Sequence, residues 1–572
     1  MNISKSNKKI ILFLLILFIF SFSLRAYKVG TIPSGILIDE ASYGYNAYSI
    51  LKTGKDEHGL AYPLVFKAFG DQKLPAYGYI LVPFIKVFGL NNFAVRLPSV
   101  IAGSLLCLVI FFLLLKFRFK TKLAFIGGLI TATSPWTIIL SRFGYESNVS
   151  LLFFTSGLLF TFIGYRKNRL ILSILGGILF GLTWYSYVAY KFITPFIMLS
   201  ILFLFKKKKK KIINRAGIVV LIFFIITVSP LILKTFSKQA TARFNQAGRS
   251  TSVSLVLDIN EKRAFCSQKL PKLLCYMNSN KPLSYVKTYL IRYINLFSPD
   301  YLFLTGDKNI KYLNVENFGL FSILLLPFYF IGLIYLFSCI VARKITKKEL
   351  FIILGLIIAP LPSLLVGDPQ KVRLSALFPF CLVVIMFGFS RVDNYMKNVV
   401  IKKLYYSGII IFIFIITISF IINFFSIHVY KYEIAYGTYI SKLMKYLGQQ
   451  DKKTSIYIRS IPEGIMYYAY VNKIDPLIYQ KSVIRNKPDE IGFSHPTDLE
   501  NIHITEKDIY RIYCEAKRDN IKTLYVETEN HLEILDKNKK IIMSENGVNT
   551  LGIVYNINEI VFDDIDCRSI LK

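Results

Sequence analysis

Acidic residues are scarce in this sequence. Its 572 residues include 35 Asp and Glu against 70 Lys and Arg, a formal net charge of +35. Histidine is scarcer still, with five, and no CxxC occurs among the seven cysteines. The clustered histidines or additional carboxylates that a metal site draws on are therefore lacking. Also missing is the alternation of apolar and polar residues that marks a membrane β-barrel. A basic excess suits nucleic acid, but here the basic residues sit between apolar runs and not in an interleaved patch, so no nucleic-acid partner is expected.

Apolar residues are abundant. They make up 54% of the chain, and the mean hydropathy is +0.48. Runs long enough to cross a bilayer recur. The first, from Ile10 to about Leu24, follows Lys5, Lys8 and Lys9. It reads as a signal anchor and not a cleaved signal peptide, because the chain stays hydrophobic afterwards. Further runs lie at about 94–115, 123–141, 148–165, 170–188, 192–205, 216–234, 318–340, 350–366, 373–390 and 405–425. The expectation is an all-α multi-pass membrane protein of about eleven transmembrane helices.

Charge sets the expected orientation. With the N-terminus in the cytoplasm, the internal segments hold most of the short-loop basic residues, including the run Lys206 to Lys211, with few acids among them. That is the positive-inside pattern, and the lysine run reads as an anchor against anionic membrane lipid. The long polar regions 28–93, 235–317 and 426–572 then lie outside. The expected domains are a transmembrane domain at 1–429, with external loops 28–93 and 235–317, and an extracytoplasmic soluble α/β domain at 430–572. Within the latter, TSIYIRS, IKTLYVET and LGIVYNI read as strands, and TEKDIYRIYCEAKRDN as a helix with Thr505 as its candidate N-cap. The C-terminal domain shows no internal repeat or catalytic motif. Cys266 shares one outer region with Cys275, and Cys514 another with Cys567, so two disulfides are open to an oxidising compartment.

The chemistry gathers at the external ends of the spans. Acids there are Asp39, Glu40, Glu146 and Asp368, and bases are Lys73, Arg96, Arg142, Lys191 and Arg373. Tyr185, Tyr187 and Tyr190 fall at the same depth. Charges this near the hydrocarbon mark a site more often than packing. Carboxylates among several cations, open to lipid, suit glycosyl transfer from a polyprenyl-phosphate sugar. A carboxylate takes the acceptor's proton, and cations hold the leaving phosphate. No cofactor is required. A divalent cation held by Asp39 with Glu40 or Glu146 is the alternative source of positive charge.

The stretch DEASYGYNAYSILKTGKDEHG, with GDQKLPAYGYILVPFIKVFG, FAVRLPS and SRFGYESN, resembles the GT-C superfamily of integral-membrane glycosyltransferases. It is most similar to the branch of protein O-mannosyltransferases and lipid A aminoarabinose transferases. The resemblance implies Asp39 as the catalytic carboxylate with Glu40 supporting it. It implies Lys73, Arg96 and Arg142 as contacts for the donor phosphate and Glu146 as a cavity residue; by their place at the external span ends, Arg373 joins the phosphate contacts, and Tyr187, Lys191 and Asp368 join the cavity. Family members often carry two prolines after the lysine, whereas Leu74 and Pro75 follow Lys73 here. The family also places interfacial helices in the first external loop, for which YNAYSILKT is the candidate, with Tyr45, Tyr48 and Leu51 on one face.

The expected function is an inverting glycosyltransferase of the cell membrane that moves a sugar from a polyprenyl-phosphate donor to a protein, lipid or surface-glycan acceptor at the outer face. The rival class is a transporter or lipid-linked-sugar flippase. It calls for polar residues near span midplanes and for inverted repeats, whereas these spans are clean in the middle.

Overall fold

The computed structural model describes residues 5–69, 71–205, 214–235, 255–365, 370–459, 461–490, 492–527, 539–543, 550–560, 562 and 565–571. The chain forms two compact units. One comprises 1–27 and 99–424, and the other 28–98 and 425–572.

The first unit is helical. Counting the whole chain's described residues, eight helices are long and apolar enough to cross a membrane, or nine if one bent pair is a single span. Each of the eleven expected segments is helical, but Leu170–Ser186 and Ala189–Leu204, at 17 and 16 residues, fall short of that measure. Among the described residues, nine of the eleven expected segments meet that measure once the bent pair is taken as one span, and the other two are these shorter apolar helices. The two short helices are separated where Tyr187 turns extended, at φ −146° and ψ 134°. Glu146–Lys167 and Ser375–Tyr395 are mostly buried, whereas few residues of Lys8–Ala26 and Ile323–Val341 are, as suits lipid-facing helices. Gly177 allows a close helix crossing, since a Cβ there would lie 2.5 Å from the Val220 carbonyl oxygen.

The bent pair shows how sequence shapes a span. Pro135 has no N–H for the Thr131 carbonyl and pushes Ser134 out of the helical region, to ψ 128°. Helix Thr121–Thr133 therefore ends, and Pro135–Ser141 leaves at 52°. The Trp136 N–H turns to the Leu320 carbonyl, which also strips Ala132 of its helical partner. Fully buried Arg25 takes up both freed carbonyls, Ala132 at 2.8 Å and Thr131 at 3.1 Å. It also donates to Ser21 Oγ, Thr137 Oγ1 and Ser141 Oγ at 2.7, 3.0 and 3.2 Å. Arg25→Met should therefore cost about 3 kcal/mol or more, chiefly from the Ala132 carbonyl left without a donor and from the lost bonds to Ser21, Thr137 and Ser141, while the Thr131 carbonyl keeps the Thr137 hydroxyl at 2.6 Å. A melting curve in detergent checks this.

The second unit combines helices with a seven-stranded sheet in the order β4-β5-β6-β3-β7-β9-β8. The strands are β3 (Ser455–Ile458), β4 (Ile484–Arg485), β5 (Pro496–Leu499), β6 (Ile502–Ile504), β7 (Thr523–Glu527), β8 (Lys539–Met543) and β9 (Thr550–Asn556). β3 runs parallel to β6 and β7, and the other pairings are antiparallel. β3, β7 and β9 are the three strands expected from sequence. Helix Ile509–Asp519 is capped by Asp508, whose carboxylate accepts from the Arg511 N–H at 2.9 Å. Thr505 accepts instead from the Lys507 N–H, at 3.0 Å, in the preceding turn. The N-cap is therefore Asp508 and not Thr505. The helix packs Ile509, Ile512 and Tyr513 with Tyr525, Ile553 and Tyr555 of the sheet, and Cys514 is bonded to Cys567. In the other unit, Cys266 is bonded to Cys275.

Helix Ile38–Thr53, which contains the candidate interfacial stretch YNAYSILKT, is buried along much of its length, from Glu40 to Ala47 and again at Ser49 and Ile50. It is a core element of its unit, not a helix with one open polar face. Gly35, just before it, lies flush against residues 436–438, where a Cβ would come within 2.2 Å of the Tyr436 carbonyl oxygen.

Candidate active site

The adjacent acids Asp39 and Glu40 open helix Ile38–Thr53, where carboxylates suit the exposed N–H groups and the positive end of the helix. Neighbours on a helix point about 100° apart, and these two do different things. Glu40 is buried and turned inward. It accepts from the Leu37 N–H at 3.1 Å and from Arg96 at two oxygens, 2.9 Å from Nε and 3.1 Å from Nη2. Arg96 is fully buried. Its remaining bonds go to carbonyls, Nη1 to Val29 and Pro33 at 3.0 and 2.8 Å and Nη2 to Gly35 at 2.6 Å. A guanidinium has five N–H groups, and all five are committed. Arg96, expected at the donor phosphate, is thus in this structure a buckle that fixes the segment leading into the helix.

Asp39 is turned outward, with its side chain 53% exposed, and its Oδ1 lies 2.9 Å from Lys73 Nζ. Lys73 ends a short hairpin of strands β1 (Phe66–Ala68) and β2 (Asp71–Lys73), in register with Phe66. Its side chain is only 8% exposed, and Nζ lies 5.1 Å from the Tyr43 ring centroid and 5.8 Å from that of Phe69. The Tyr43 hydroxyl donates to the Leu74 carbonyl at 3.2 Å, which holds the chain just after Lys73. The result is an open carboxylate beside a sheltered ammonium. Such a pair can take a proton at one group and hold an anionic oxygen at the other.

The remaining sequence-selected residues belong to the other unit. Arg142 is buried and donates through Nη1 to the carbonyls of Arg25 and Tyr27 at 3.1 and 2.9 Å, the bonds of a cation capping the first span's C-terminal end. Glu146 begins helix Glu146–Lys167 and is half-buried, and its carbonyl accepts from Ser186 Oγ at 2.9 Å. Tyr187, Lys191 and Arg373 are half-buried, and the Tyr187 ring stands 6.4 Å from that of Tyr190. Asp368 lies outside the described residues. The structure thus joins Asp39 to Lys73 and Glu40 to Arg96.

Two buried groups escaped the sequence reading. Lys371 is buried. Its N–H donates to Asp307 Oδ2 at 2.8 Å and its ammonium to the Leu313 carbonyl. Burial pulls its pKa down to about 8, against the pull of Asp307. Glu57, in the DEHG run, is also buried. It accepts from Asn46 Nδ2 at 2.9 Å and from the Tyr479 hydroxyl at 3.3 Å, and Arg485 Nη2 lies 3.8 Å from its Oε2. Burial pushes its carboxyl above the usual range, while Arg485, the Asn46 hydrogen bond and Lys73 act against that shift. The one signal in the sequence was a second acidic pair, Asp56 and Glu57, inside the motif. Among the described residues, no group of three or more His, Cys, Asp or Glu side chains converges as a metal site would.

Residues 72–233 match the family described as dolichyl-phosphate-mannose-protein mannosyltransferase. No curated protein matches the chain. Among solved structures, the archaeal oligosaccharyltransferase AglB from Archaeoglobus fulgidus, in complex with an inhibitory peptide and a dolichol-phosphate, aligns at 12% identity and a TM-score of 0.47. The alignment covers 90% of this chain and 69% of that one. ArnT from Cupriavidus metallidurans, bound to undecaprenyl phosphate, aligns at 10% identity and a TM-score of 0.48, covering 96% and 98%.

Proposed function

We infer that this chain, whose residues 72–233 match the dolichyl-phosphate-mannose-protein mannosyltransferase family, is a multi-pass membrane enzyme that transfers a sugar from a polyprenyl-phosphate-linked donor, with inversion, to a hydroxyl or amine of a protein, lipid or surface glycan. The observation that carries this reading is the contact of Asp39 with Lys73. Asp39 takes the acceptor's proton as its heteroatom attacks the anomeric carbon. The bond from that carbon to the donor phosphate breaks, and its electron pair leaves on the phosphate. A phosphate leaving group needs charge stabilisation and no general acid, and Lys73 supplies it. In the resting contact Lys73 neutralises Asp39. An arriving phosphate competes for the ammonium and returns basicity to the carboxylate.

The reaction belongs at the outer face of the cell membrane, with the N-terminus in the cytoplasm. Two features support that placement. The basic short loops favour the cytoplasmic side, and the Cys266–Cys275 and Cys514–Cys567 bonds suit an oxidising compartment for both polar regions.

The test supplies labelled polyprenyl-phosphate sugars to the purified protein in lipid vesicles. Transfer to an acceptor, or slow release of sugar to water, is expected from the wild type. Lys73→Met should weaken donor binding by about 10- to 100-fold, the worth of one charge-assisted hydrogen bond. Movement of intact lipid-linked sugar across the vesicle without turnover would make the protein a flippase instead.

A further inference from the structure

We propose that Glu57 and Arg485 are positioning residues for the transfer reaction: they lock helix Ile38–Thr53 to the C-terminal part of its own unit and so hold the Asp39 carboxylate against Lys73. The proposal rests on the reading of Asp39 as the base and extends it to a pair 428 residues apart in the chain.

The lock begins at Asn46, in the middle of the helix. Its Nδ2 donates to Glu57 Oε1 at 2.9 Å, and its Oδ1 accepts from the Glu57 N–H at 3.0 Å. Two bonds to one residue fix the helix against rotation about its axis. Asn46 follows Asp39 by seven residues, almost two full turns, so the two share one stripe of the helix to within about 20°. Any rotation that unseats Asn46 swings Asp39 with it. A displacement of about 1 Å at a reacting group can cost about 10²-fold in rate.

On the other side, Glu57 is held by the C-terminal region. Arg485 Nη2 donates to the Glu57 carbonyl at 3.2 Å and pairs with its carboxylate, and the Tyr479 hydroxyl reaches Oε2. Gln480, beside Tyr479, donates to Ser49 Oγ at 3.0 Å and to the Asp56 carbonyl at 2.9 Å. The Tyr45 hydroxyl donates to the Ile474 carbonyl at 3.1 Å. The Lys73 charge also acts on Glu57 electrostatically, which ties the lock to the second member of the site. A buried ion pair is a poor source of net stability, since desolvation offsets its attraction. A glutamine would fill the same space and keep a bond to Asn46. What the charged pair adds is direction, through one guanidinium engaging both the main chain and the side chain of one residue.

The experiment uses the full chain in vesicles and compares wild type, Glu57→Gln, Arg485→Gln, the double variant and Ile512→Ala. Ile512 is buried on the sheet helix and serves as a general destabilising control. Turnover, donor affinity and hydrogen exchange across residues 38–53 are measured for each. Each single variant should lose about 10- to 100-fold in turnover, with donor affinity within about threefold. Exchange across 38–53 should rise in both, and the double variant should be no worse than the worse single one. Ile512→Ala should lower the melting temperature and leave that exchange unchanged. If Glu57→Gln does not reach the membrane, Arg485→Lys takes its place, with the same losses expected. Wild-type turnover in the single variants, additive losses in the double variant, or equal effects from Ile512→Ala would overturn the proposal. A wild type that transfers no sugar sinks the transferase reading itself, and the positioning role falls with it.

Discussion

Asp39→Asn is expected to abolish measurable transfer, a loss of about 10²- to 10⁴-fold, the contribution of a positioned general base. The substitution keeps the size and hydrogen-bonding reach of the side chain and removes its capacity to accept a proton. Folding should be nearly unaffected. The side chain is 53% exposed, and its ion pair with Lys73 is correspondingly screened, so the change in stability should stay within about 1 kcal/mol. Donor binding should be retained or strengthened, because Lys73 no longer divides its charge between Asp39 and the phosphate. Single-turnover sugar release and donor binding, measured on one preparation, separate these effects. Lost turnover with intact binding identifies the base. Equal turnover in variant and wild type would remove Asp39 from the mechanism and transfer the role to Glu146 or Asp368.

Much of this was legible in the sequence because it is local. Apolar runs gave the positions of all eleven helical segments, and short β-branched and aromatic runs gave β3, β7 and β9. Asp39 stood out because an acid so near a span is costly. What failed was whatever depends on direction or distant partners. Asp39 and Glu40 are adjacent letters, and only the helical turn between them sends one to Lys73 and the other to Arg96. Hydropathy separated the runs 170–188 and 192–205 but did not show that what divides them is an extended residue, Tyr187. Thr505 and Asp508 are both good N-caps, and the choice fell to the residue whose carboxylate reaches the Arg511 N–H. Nothing local marks out Arg25, just beyond the first apolar run. Its task arises because Pro135, far along the chain, denies the Thr131 carbonyl its helical N–H, a place that Arg25 and the Thr137 hydroxyl then share. Nor does any local pattern reveal that the first loop and the C-terminal region form one compact unit.

The second large effect is expected at Arg96, and it is an effect on folding. Arg96→Met leaves the Glu40 carboxylate buried without its partner, and Glu40→Gln leaves the Arg96 charge in the same position. Breaking one side of a buried pair costs about 3–5 kcal/mol. Arg96→Lys should cost nearly as much, although it keeps the charge. An ammonium has three donors about one point, whereas the site asks for donors to two carboxylate oxygens and the separated carbonyls of Val29, Pro33 and Gly35. Each buried carbonyl left without a donor adds about 1–3 kcal/mol. The double variant Arg96→Met with Glu40→Leu should recover part of the loss, because no charge then remains buried alone. Melting in detergent and the yield of folded protein measure the stability, and donor binding by the folded fraction measures the site. A buckle predicts low yield, a depressed melting temperature in the single variants and near-normal donor affinity in whatever folds. A phosphate ligand predicts the reverse, a stable protein that has lost its donor. That outcome would return Arg96 to the donor site and require its five bonds to open when the donor arrives.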